Sequence, residues 1–437
     1  MTISDQLPEV LEWLFKCDPL EVKAVEQRAR LLFLDTLGCL ITGLAKPEPS
    51  ALAESLAGLE PGSVKLPNGP RMSIESAAFI AGTAACWDEA CEGLPRAHGR
   101  PGLHSFAAAL PLGLAGRHTL GETLRSLVAG FELAGRLGEC LRIRPGMHVD
   151  GTWGTFGAVM VAARLGGLTT KETISALQGA ACHLPFSLYL PISQGATVRN
   201  TYVGDAARRG INAVLASRAG IYGPFGALEA FDELVLGSQD KEKRLEPAGV
   251  WLLLEGYLKP FAAARHVHYG AQAAIEWRSV NTDTAVINML ELAIYGEALT
   301  YCGNRAPLTA IQAQFSLTYG LAWTLVNGDL GPEAYFEDSL QNREVRRLES
   351  IVKLVEEPAF ARNNRRAARL TVNGVVIPIE EVPGEPHLPL SRDEVTAKFV
   401  RYVDPILGSI RVRKAVDGIL DGSLATGLAD LFSAFDQ

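Results

Sequence analysis

The sequence has few of the features that mark a disulfide-bonded or zinc-stabilised protein. Its seven cysteines are odd in number and scattered along the chain. The nearest pair, Cys86 and Cys91, lacks the C-x-x-C spacing of redox and zinc motifs. This pattern argues against a disulfide framework or a structural zinc site, and it favours reduced thiols.

Long apolar runs and a secretion signal are missing as well. The longest apolar stretches, such as Ser105–Gly116, fall well short of the roughly 18 residues that a membrane-spanning helix needs. The N-terminus has acidic residues early and no apolar signal-peptide core. We therefore expect a soluble, cytoplasmic protein with no membrane partner.

An excess of positive charge is absent too. Lys and Arg total 41 against 49 Asp and Glu, a net charge of −8. The one arginine-dense stretch, Arg362–Arg369, is short, so nucleic-acid binding has little electrostatic support. The net charge does not exclude a small anionic substrate, because local positive groups decide its binding.

Cofactor and nucleophile motifs are also missing. The chain has no P-loop, no dinucleotide-binding glycines after a strand, no iron–sulfur cysteine set and no G-x-S-x-G elbow. We therefore expect no cofactor. Reactions that need only acid–base catalysis and electrostatic stabilisation fit the sequence best.

The chain does have length and small residues. Its 437 residues exceed the roughly 100–200 of one domain, so two domains are expected. Apolar residues spaced by threes and fours predict helices through most of the first 255 residues. The predicted helices are Val22–Leu40, Ala77–Cys86, Ser105–Ala115, Thr119–Cys140, Thr152–Leu165, Lys171–Ala181 and Gly204–Ala219.

After about residue 280 the pattern becomes mixed. Arg369–Val372 and Val375–Ile379 flank Asn373-Gly374, a pair that suits a type I′ hairpin turn. Helical runs at Leu308–Val326 and Asn342–Leu348 lie among the extended segments Ala285–Leu299 and Ser350–Val355. The predicted fold class is mainly α. We predict a large all-helical domain of residues 1–268 and 393–437, and a smaller α+β domain of residues 269–392.

Two loop clusters contain histidines beside helix starts. Arg100 and His104 precede an apolar helix whose N-terminus suits an anion, and Asp88 lies at the end of the preceding helix. His148 follows a Pro-Gly turn ahead of a Gly-rich helix, where an imidazole can exchange protons near pH 7. The alternative is that these are surface-loop histidines and a solvated helix end.

Two further clusters are basic. Arg199 has no acidic residue within five positions, so it can clamp a substrate carboxylate or bridge to a distant acid. The fourth cluster places four potential cations within ten residues: Lys259, Arg265, His266 and His268. An extended segment would point both histidines the same way, but no third ligand follows at metal-site spacing, so no metal is expected. Together the four clusters predict a pocket for a small polycarboxylate and proton abstraction α to a carboxylate.

Five segments carry a resemblance to a known family: LLFLDTLGC from Leu31, HVDGTWGTFGA from His148, ATVRNTYVGDAARRG from Ala196, YLKPFAAARHVH from Tyr257 and QAQFSLTYGLA from Gln312. They resemble the MmgE/PrpD family, which includes 2-methylcitrate dehydratase, cis-aconitate decarboxylase and iminodisuccinate epimerase. The resemblance runs in order from about residue 25 to about 410. It implies that the α+β domain is a lid inserted into the helical domain, that the protein is a homodimer, and that a metal-free site lies between the domains.

The resemblance also implies roles for single residues. Asp88 is similar to an aspartate of the family's H-x-x-D-F-D-D stretch, and His104 to its histidine before the next helix. His148 resembles the histidine ahead of the Gly-rich helix. The remaining matches are Lys259 with the lysine of K-P-[FY], His268 with the histidine after it, and Tyr319 with the tyrosine of F-S-x-x-Y.

The chain departs from the family pattern at two places. The H-x-x-D-F-D-D stretch is TAACWDE, in which Thr83 and Cys86 replace the histidine and the first aspartate and only Asp88 and Glu89 stay acidic. Arg199 stands where the family usually has a lysine, just before the small-residue helix. Arginine binds a carboxylate well but cannot donate a proton at working pH. These departures leave the substrate open.

The resulting hypothesis is a cofactor-independent dehydratase, a lyase that acts on a small di- or tricarboxylate of the 2-methylcitrate or aconitate type. The expected catalytic residues are His104 and His148 as base and acid, Asp88 orienting one imidazole, and Lys259 and Tyr319. The expected substrate-binding residues are Arg100, Arg199, Arg265 and His268. Epimerisation, decarboxylation and a non-catalytic acid-binding role are the alternatives.

Overall fold

The structure is a computed structural model that describes residues 2–240, 242–362 and 365–433. The arginine-dense stretch Arg362–Arg369 therefore lies partly outside the described residues. Helices dominate, and the small sheets lie in the second half of the chain and near residue 65, so the predicted class, mainly α with a smaller α+β part, is confirmed. The domain bounds stay a prediction.

The first part of the chain is a set of packed helices. They are Ile3–Lys16, Lys23–Leu44, Pro47–Leu59, Ile74–Cys86, Pro101–Ala115, Leu120–Cys140, Gly154–Leu165, Thr170–Ala181, Leu190–Gln194, Thr201–Arg218 and Ala227–Leu234. A short hairpin pairs Val64–Lys65 with Arg71–Met72. All seven predicted helices are present, with ends shifted by up to four residues. Within the described residues, no helix is both long and apolar enough to cross a membrane.

One helix start differs from the prediction in a way that affects the site. The helix predicted from Ser105 begins at Pro101, whose fixed φ suits the first helical position. His104 therefore lies in the first turn of this helix and not in the loop ahead of it.

Small residues bring two helices into backbone contact. A Cβ atom on Gly82 of Ile74–Cys86 would lie 2.5 Å from the backbone nitrogen of Gly204 in Thr201–Arg218. A Cβ atom on Gly204 would in turn overlap the carbonyl oxygen of Phe79. This contact fixes the C-terminal end of Ile74–Cys86, and the segment that follows it forms one wall of the site described below.

The second part of the chain contains a four-stranded sheet in the order Val352–Glu356, Leu290–Ile294, Ala368–Val372, Val375–Ile379. The first pair is parallel and the other two are antiparallel. The predicted hairpin is confirmed, because Val372 pairs with Val375 and both Asn373 and Gly374 have positive φ. A smaller hairpin pairs Ala361–Arg362 with Arg365–Arg366.

Helix His268–Arg278 packs against this sheet. The other helices around the sheet have at most 11 residues. They are Gly296–Cys302, Ala310–Gln314, Leu317–Asn327, Glu337–Leu340 and Arg343–Ile351. The single helical run predicted over Leu308–Val326 is two helices, because the Ser316 hydroxyl accepts the Tyr319 N–H at 3.2 Å and starts the second one.

The end of the chain forms three helices, Arg392–Leu407, Ser409–Leu420 and Leu428–Ser433. The first of them packs on Lys23–Leu44, where Lys398 Nζ lies 2.7 Å from Asp35 Oδ1 in a fully buried contact. The same ammonium donates to the carbonyl oxygens of Ala90 at 2.6 Å and of Lys259 at 2.8 Å. Lys398, in a helix near the end of the chain, therefore holds the backbone at Ala90 and at Lys259, two segments that flank the site.

Candidate active site

A cavity of about 300 Å³ lies where the loops of residues 89–100 and 141–153 meet the segments 257–266 and 297–315. Its volume suits a small metabolite. The charged side chains in its wall are the cations Arg100, Arg142, Lys259, Arg265 and Arg366 and the acids Glu89, Asp150 and Glu297. The imidazoles of His98, His148 and His266 also line it. Because cations outnumber acids, the cavity attracts anions although the chain as a whole is negative.

The cavity wall has a buried part formed by Glu89, Arg100, His148, Asp150 and Lys259, which we call the inner end. Glu89 lies at its centre. It follows helix Ile74–Cys86 with a φ of 52°, in the left-handed region, which separates its direction from that of Asp88. Its carboxylate accepts from Lys259 Nζ at 2.7 Å, from Arg100 Nη1 at 3.1 Å and from Arg199 Nη2. Burial alone would raise the pKa of Glu89, but these three cations hold it well below its ordinary value. Glu89 is therefore an anion that gathers three cations.

Asp150 is the second acid of the inner end. Arg100 Nε donates to its Oδ1 at 3.2 Å, and Nη2 of the same arginine contacts the other carboxylate oxygen. Burial raises the pKa of Asp150, and the Arg100 guanidinium outweighs that effect and lowers it. With Glu89, Asp150, Arg100, Arg199 and Lys259 all charged, the inner end carries one net positive charge.

Cys86, which replaces a family aspartate, faces the same cations from behind the cavity wall. Arg199 Nη1 lies 2.9 Å and Arg100 Nη2 3.1 Å from its sulfur. Burial outweighs both arginines and raises the pKa of the Cys86 thiol to about 11. The side chain is therefore a neutral thiol at pH 7 and leaves the excess positive charge uncancelled.

His148 lines the inner end and has a defined tautomer. Its Nδ1 accepts the backbone N–H of Asp150 at 3.0 Å, so the proton of the neutral ring is on Nε2. Burial lowers the pKa of His148 to about 4, although the nearby Asp150 carboxylate acts in the opposite direction. At pH 7 the ring is neutral, and Nε2–H is the hydrogen-bond donor that it can offer to a ligand.

His104 does not line the cavity and is fully hydrogen-bonded. Its Nδ1 donates to the carbonyl oxygen of Arg100 at 2.8 Å, and its Nε2 accepts the backbone N–H of Gly151 at 3.1 Å. Gly154 packs against the ring so closely that a Cβ atom would overlap it. His104 thus ties the Arg100 loop to the His148–Gly151 loop. Because both ring nitrogens are occupied and the ring lies outside the cavity wall, this geometry favours a positioning role for His104 over the predicted role as acid or base.

His266 is a cavity residue that the sequence analysis considered as a potential cation and as a metal ligand, but not as a catalytic base. It lies in a 3₁₀ turn, Arg265–Val267, so His266 and His268 do not point the same way as an extended segment would require. Its Nδ1 lies 2.7 Å from the Tyr295 hydroxyl, and its ring stacks on Tyr301 at 6.2 Å between centroids. Burial, followed by the neighbouring arginines Arg366 and Arg265, holds the pKa of His266 well below its ordinary value.

Of the nine residues that the sequence analysis proposed, the cavity wall includes Arg100, His148, Lys259 and Arg265. Arg265 pairs with Glu385, with Nε 2.7 Å from a carboxylate oxygen. Arg199 is buried behind the wall, where it holds Glu89 and covers the ring of Phe315 at 5.2 Å.

Three other proposed residues are held elsewhere. Asp88 lies against Lys46, with Oδ1 3.7 Å from Nζ, and does not orient an imidazole among the described residues. The Tyr319 hydroxyl donates to the carbonyl oxygen of Ala334 at 2.5 Å. His268 Nε2 donates to the carbonyl oxygen of Ala263 at 3.1 Å. Asp88 is therefore paired with a lysine, and Tyr319 and His268 donate to backbone carbonyl oxygens, instead of the catalytic or substrate-binding contacts that the hypothesis gave them.

Within the described part of the chain, no group of three or more His, Cys, Asp or Glu side chains is placed to hold a metal ion.

The fold is mainly helical, and the wall of its cavity has more cations than acids. The chain matches the MmgE/PrpD N-terminal domain over residues 13–242 and the MmgE/PrpD C-terminal domain over residues 261–421. These matches cover most of its length, so the chain belongs to the MmgE/PrpD family.

Two curated proteins are similar to this chain over much of their length. A cis-aconitate decarboxylase-like protein of Aspergillus oryzae is 22% identical, and the similarity covers 99% of each chain. The cis-aconitate decarboxylase of Homo sapiens is 24% identical, over 76% of this chain and 73% of its own.

Proposed function

We propose that this protein is a lyase that forms a carbanion α to a carboxylate of a small di- or tricarboxylate, with dehydration as its first candidate reaction. The observation that carries the proposal is the inner end of the cavity, where Lys259, Arg100 and the neutral His148 ring surround one side of a small, positively charged space. Family membership supports the same class of substrate.

The charges suggest how the substrate is held. Lys259 and Arg100 both donate to the Glu89 carboxylate. A substrate carboxylate that binds at the inner end takes over part of these contacts. Removal of the α-proton leaves an electron pair that spreads onto this carboxylate as an enolate. Lys259 Nζ and the Nε2–H of His148 then stabilise the new negative charge, because they are donors fixed in place before the reaction.

We propose His266 as the base. When its Nδ1–H donates to the Tyr295 hydroxyl, Nε2 has a free lone pair toward the cavity that its ring lines. The ring takes the α-proton, and the electron pair left on the α-carbon forms a C=C bond as the C–O bond to the β-hydroxyl breaks. The His266 imidazolium returns its proton to the departing hydroxide, which leaves as water. Burial and the neighbouring arginines lower the pKa of His266, so the ring is neutral and Nε2 is unprotonated at pH 7.

Decarboxylation is the second candidate, and the two curated relatives named as, or as like, cis-aconitate decarboxylases favour it. Loss of CO₂ breaks a C–C bond and leaves its electron pair on the same carbon. The inner cations stabilise that carbanion until a proton arrives.

The homodimer implied by the family resemblance stays a prediction.

A product assay tests the proposal. Citrate, 2-methylcitrate and cis-aconitate are incubated separately with the protein, and unsaturated acids and CO₂ are measured by NMR and gas analysis. We expect at least one acid to be converted, and Lys259→Gln to lower that rate on the order of 10²–10³-fold. The matched control is Lys353→Gln, which removes a lysine from an exposed pair with Glu291 and leaves the rate unchanged. Full activity of Lys259→Gln would contradict the proposal.

A further inference from the structure

The outer end of the cavity contains a second group of charged residues that the proposed reaction does not use. We name His98, Arg142, Arg366 and Glu297 the outer group; all four line the cavity. Arg366 Nη2 pairs with Glu297 at 2.6 Å, which cancels both charges. The remaining charge of the group is that of Arg142.

Arg142 is an exposed cation in the cavity wall whose charge no acid balances. Among the residues that the structure describes, no carboxylate lies within ion-pair distance of it. Glu139, whose charge acts on Arg142, pairs with Arg96 at 3.0 Å instead. The other cavity cations each have an acidic partner: Arg100 and Lys259 at Glu89, Arg265 at Glu385, and Arg366 at Glu297. An unbalanced guanidinium in a cavity is suited to bind a carboxylate of the ligand.

His98 lies beside these cations in a fixed turn. Its φ is 53°, and the turn is closed by hydrogen bonds from His98 N–H to the carbonyl oxygen of Pro95 at 3.1 Å and from Leu94 N–H to that of Gly99 at 2.8 Å. Partial desolvation lowers the pKa of His98, and Arg142 lowers it further. A neutral imidazole at this place can donate one hydrogen bond to an anion without competing with Arg142 for the charge.

We propose that the outer group is a second carboxylate subsite, centred on Arg142, which selects acids with a carboxylate remote from the reacting carbon. The inference rests on the proposed function, because the inner end must hold the reacting carboxylate. The apolar side chains of Leu141, Ile143, Met147 and Trp153 share the cavity wall and are suited to pack against the carbon chain of a ligand. The substrate class is therefore a di- or tricarboxylate with charged groups at both ends, and monocarboxylates are excluded as good ligands.

Binding measurements with a matched pair of variants test this subsite. The probes are propane-1,2,3-tricarboxylate and butyrate, and affinities are measured by calorimetry or by NMR titration for weak binding. Arg142→Gln removes the proposed contact. Arg144→Gln removes the same charge two residues away, from an exposed side chain that covers the Phe186 ring at 5.6 Å and does not line the cavity. Both side chains are exposed, so both variants should fold, which circular dichroism checks.

We expect Arg142→Gln to weaken tricarboxylate binding about tenfold or more, the size of one charge-assisted hydrogen bond, and to leave butyrate binding within about twofold. Arg144→Gln should leave both within about twofold. Equal effects of the two variants on the tricarboxylate, or no tricarboxylate binding to the unchanged protein, would overturn the subsite. Tricarboxylate binding that depends on Arg142 without turnover of any acid would instead support the subsite and refute the proposed lyase.

Discussion

Lys259 Nζ lies 2.7 Å from Oε1 of Glu89, a residue 170 positions earlier in the chain, and donates also to the carbonyl oxygen of Glu89 at 2.8 Å. The pair joins the end of an early helix to the segment that enters the second part of the chain. It also explains why the positive charges of Lys259, Arg100 and Arg199 are stable although these side chains are buried. Glu89 supplies the negative charge that holds Lys259, Arg100 and Arg199 together.

Replacing Glu89 by Gln should strongly destabilise the fold, because three buried cations then lose their shared carboxylate. Breaking a buried ion pair by removing one partner costs about 3–5 kcal/mol. The free energy of unfolding, measured by urea denaturation, checks this. Glu291→Gln is the control, since its pair with the exposed Lys353 should contribute less than about 1 kcal/mol. Similar small losses in the two variants would contradict the role of Glu89.

His148 should make the free energy of unfolding decrease as the pH is lowered. Its pKa is about 4 in the folded state and 6.5 without the fold, so only the unfolded chain takes up this proton between those values. Stability is therefore lost as pH falls through that window. The loss from this one group is about 2 kcal/mol between pH 7.5 and 5.

His148→Gln cannot take up the proton and serves as the comparison for that measurement. Urea denaturation of both proteins at pH 7.5, 6 and 5 should show the stability difference between them shrinking as pH falls. Other histidines with lowered pKa values contribute equally to both proteins and cancel. Parallel curves would mean that His148 is protonated normally in the fold.

Gly154→Ala should disrupt the clamp made by His104. The new methyl group overlaps the His104 ring, so the ring must move and release the N–H of Gly151. Overpacking of this kind costs about 1–3 kcal/mol. The melting temperature and the binding of propane-1,2,3-tricarboxylate should both fall. Gly58→Ala, in an exposed part of helix Pro47–Leu59 with open space around it, should leave both unchanged or raise stability slightly.

Lys398→Met should be destabilising, because it leaves the buried Asp35 carboxylate without its partner. We expect a loss of about 3–5 kcal/mol in the free energy of unfolding. Adding Asp35→Asn to this variant removes the unpaired charge and should recover part of the loss. If the two single losses simply add in the double variant, the pair does not interact as the structure indicates.

Helices and the hairpin could be predicted from the sequence because their signals are local. Asn373-Gly374 needs positive φ at two neighbouring positions, and the amphipathic spacing of the early helices needs only three or four residues. Arg100, His148 and Lys259 could be expected near one site because each lies beside a turn or a proline close to a recognisable segment.

The remaining site residues depend on distant contacts. Asp88 and Glu89 are neighbours and both acidic, yet the left-handed backbone at Glu89 decides which of them reaches the cavity. The choice between His266 and His268 depends on a 3₁₀ turn, which has no clear periodicity in sequence. Asp150 carries no signal of its own, because its importance comes from Arg100, 50 residues away.

Solvent deuterium incorporation tests the central claim, carbanion formation in the cation-rich cavity, most directly. Each polycarboxylate that binds is incubated to near equilibrium with the protein in D₂O and followed by ¹H NMR, with Lys259→Gln as the comparison. The account predicts deuterium on a carbon α to a carboxylate, in the recovered acid or its product, and a much slower appearance with Lys259→Gln. Acids that bind tightly but gain no deuterium and give no product would contradict it.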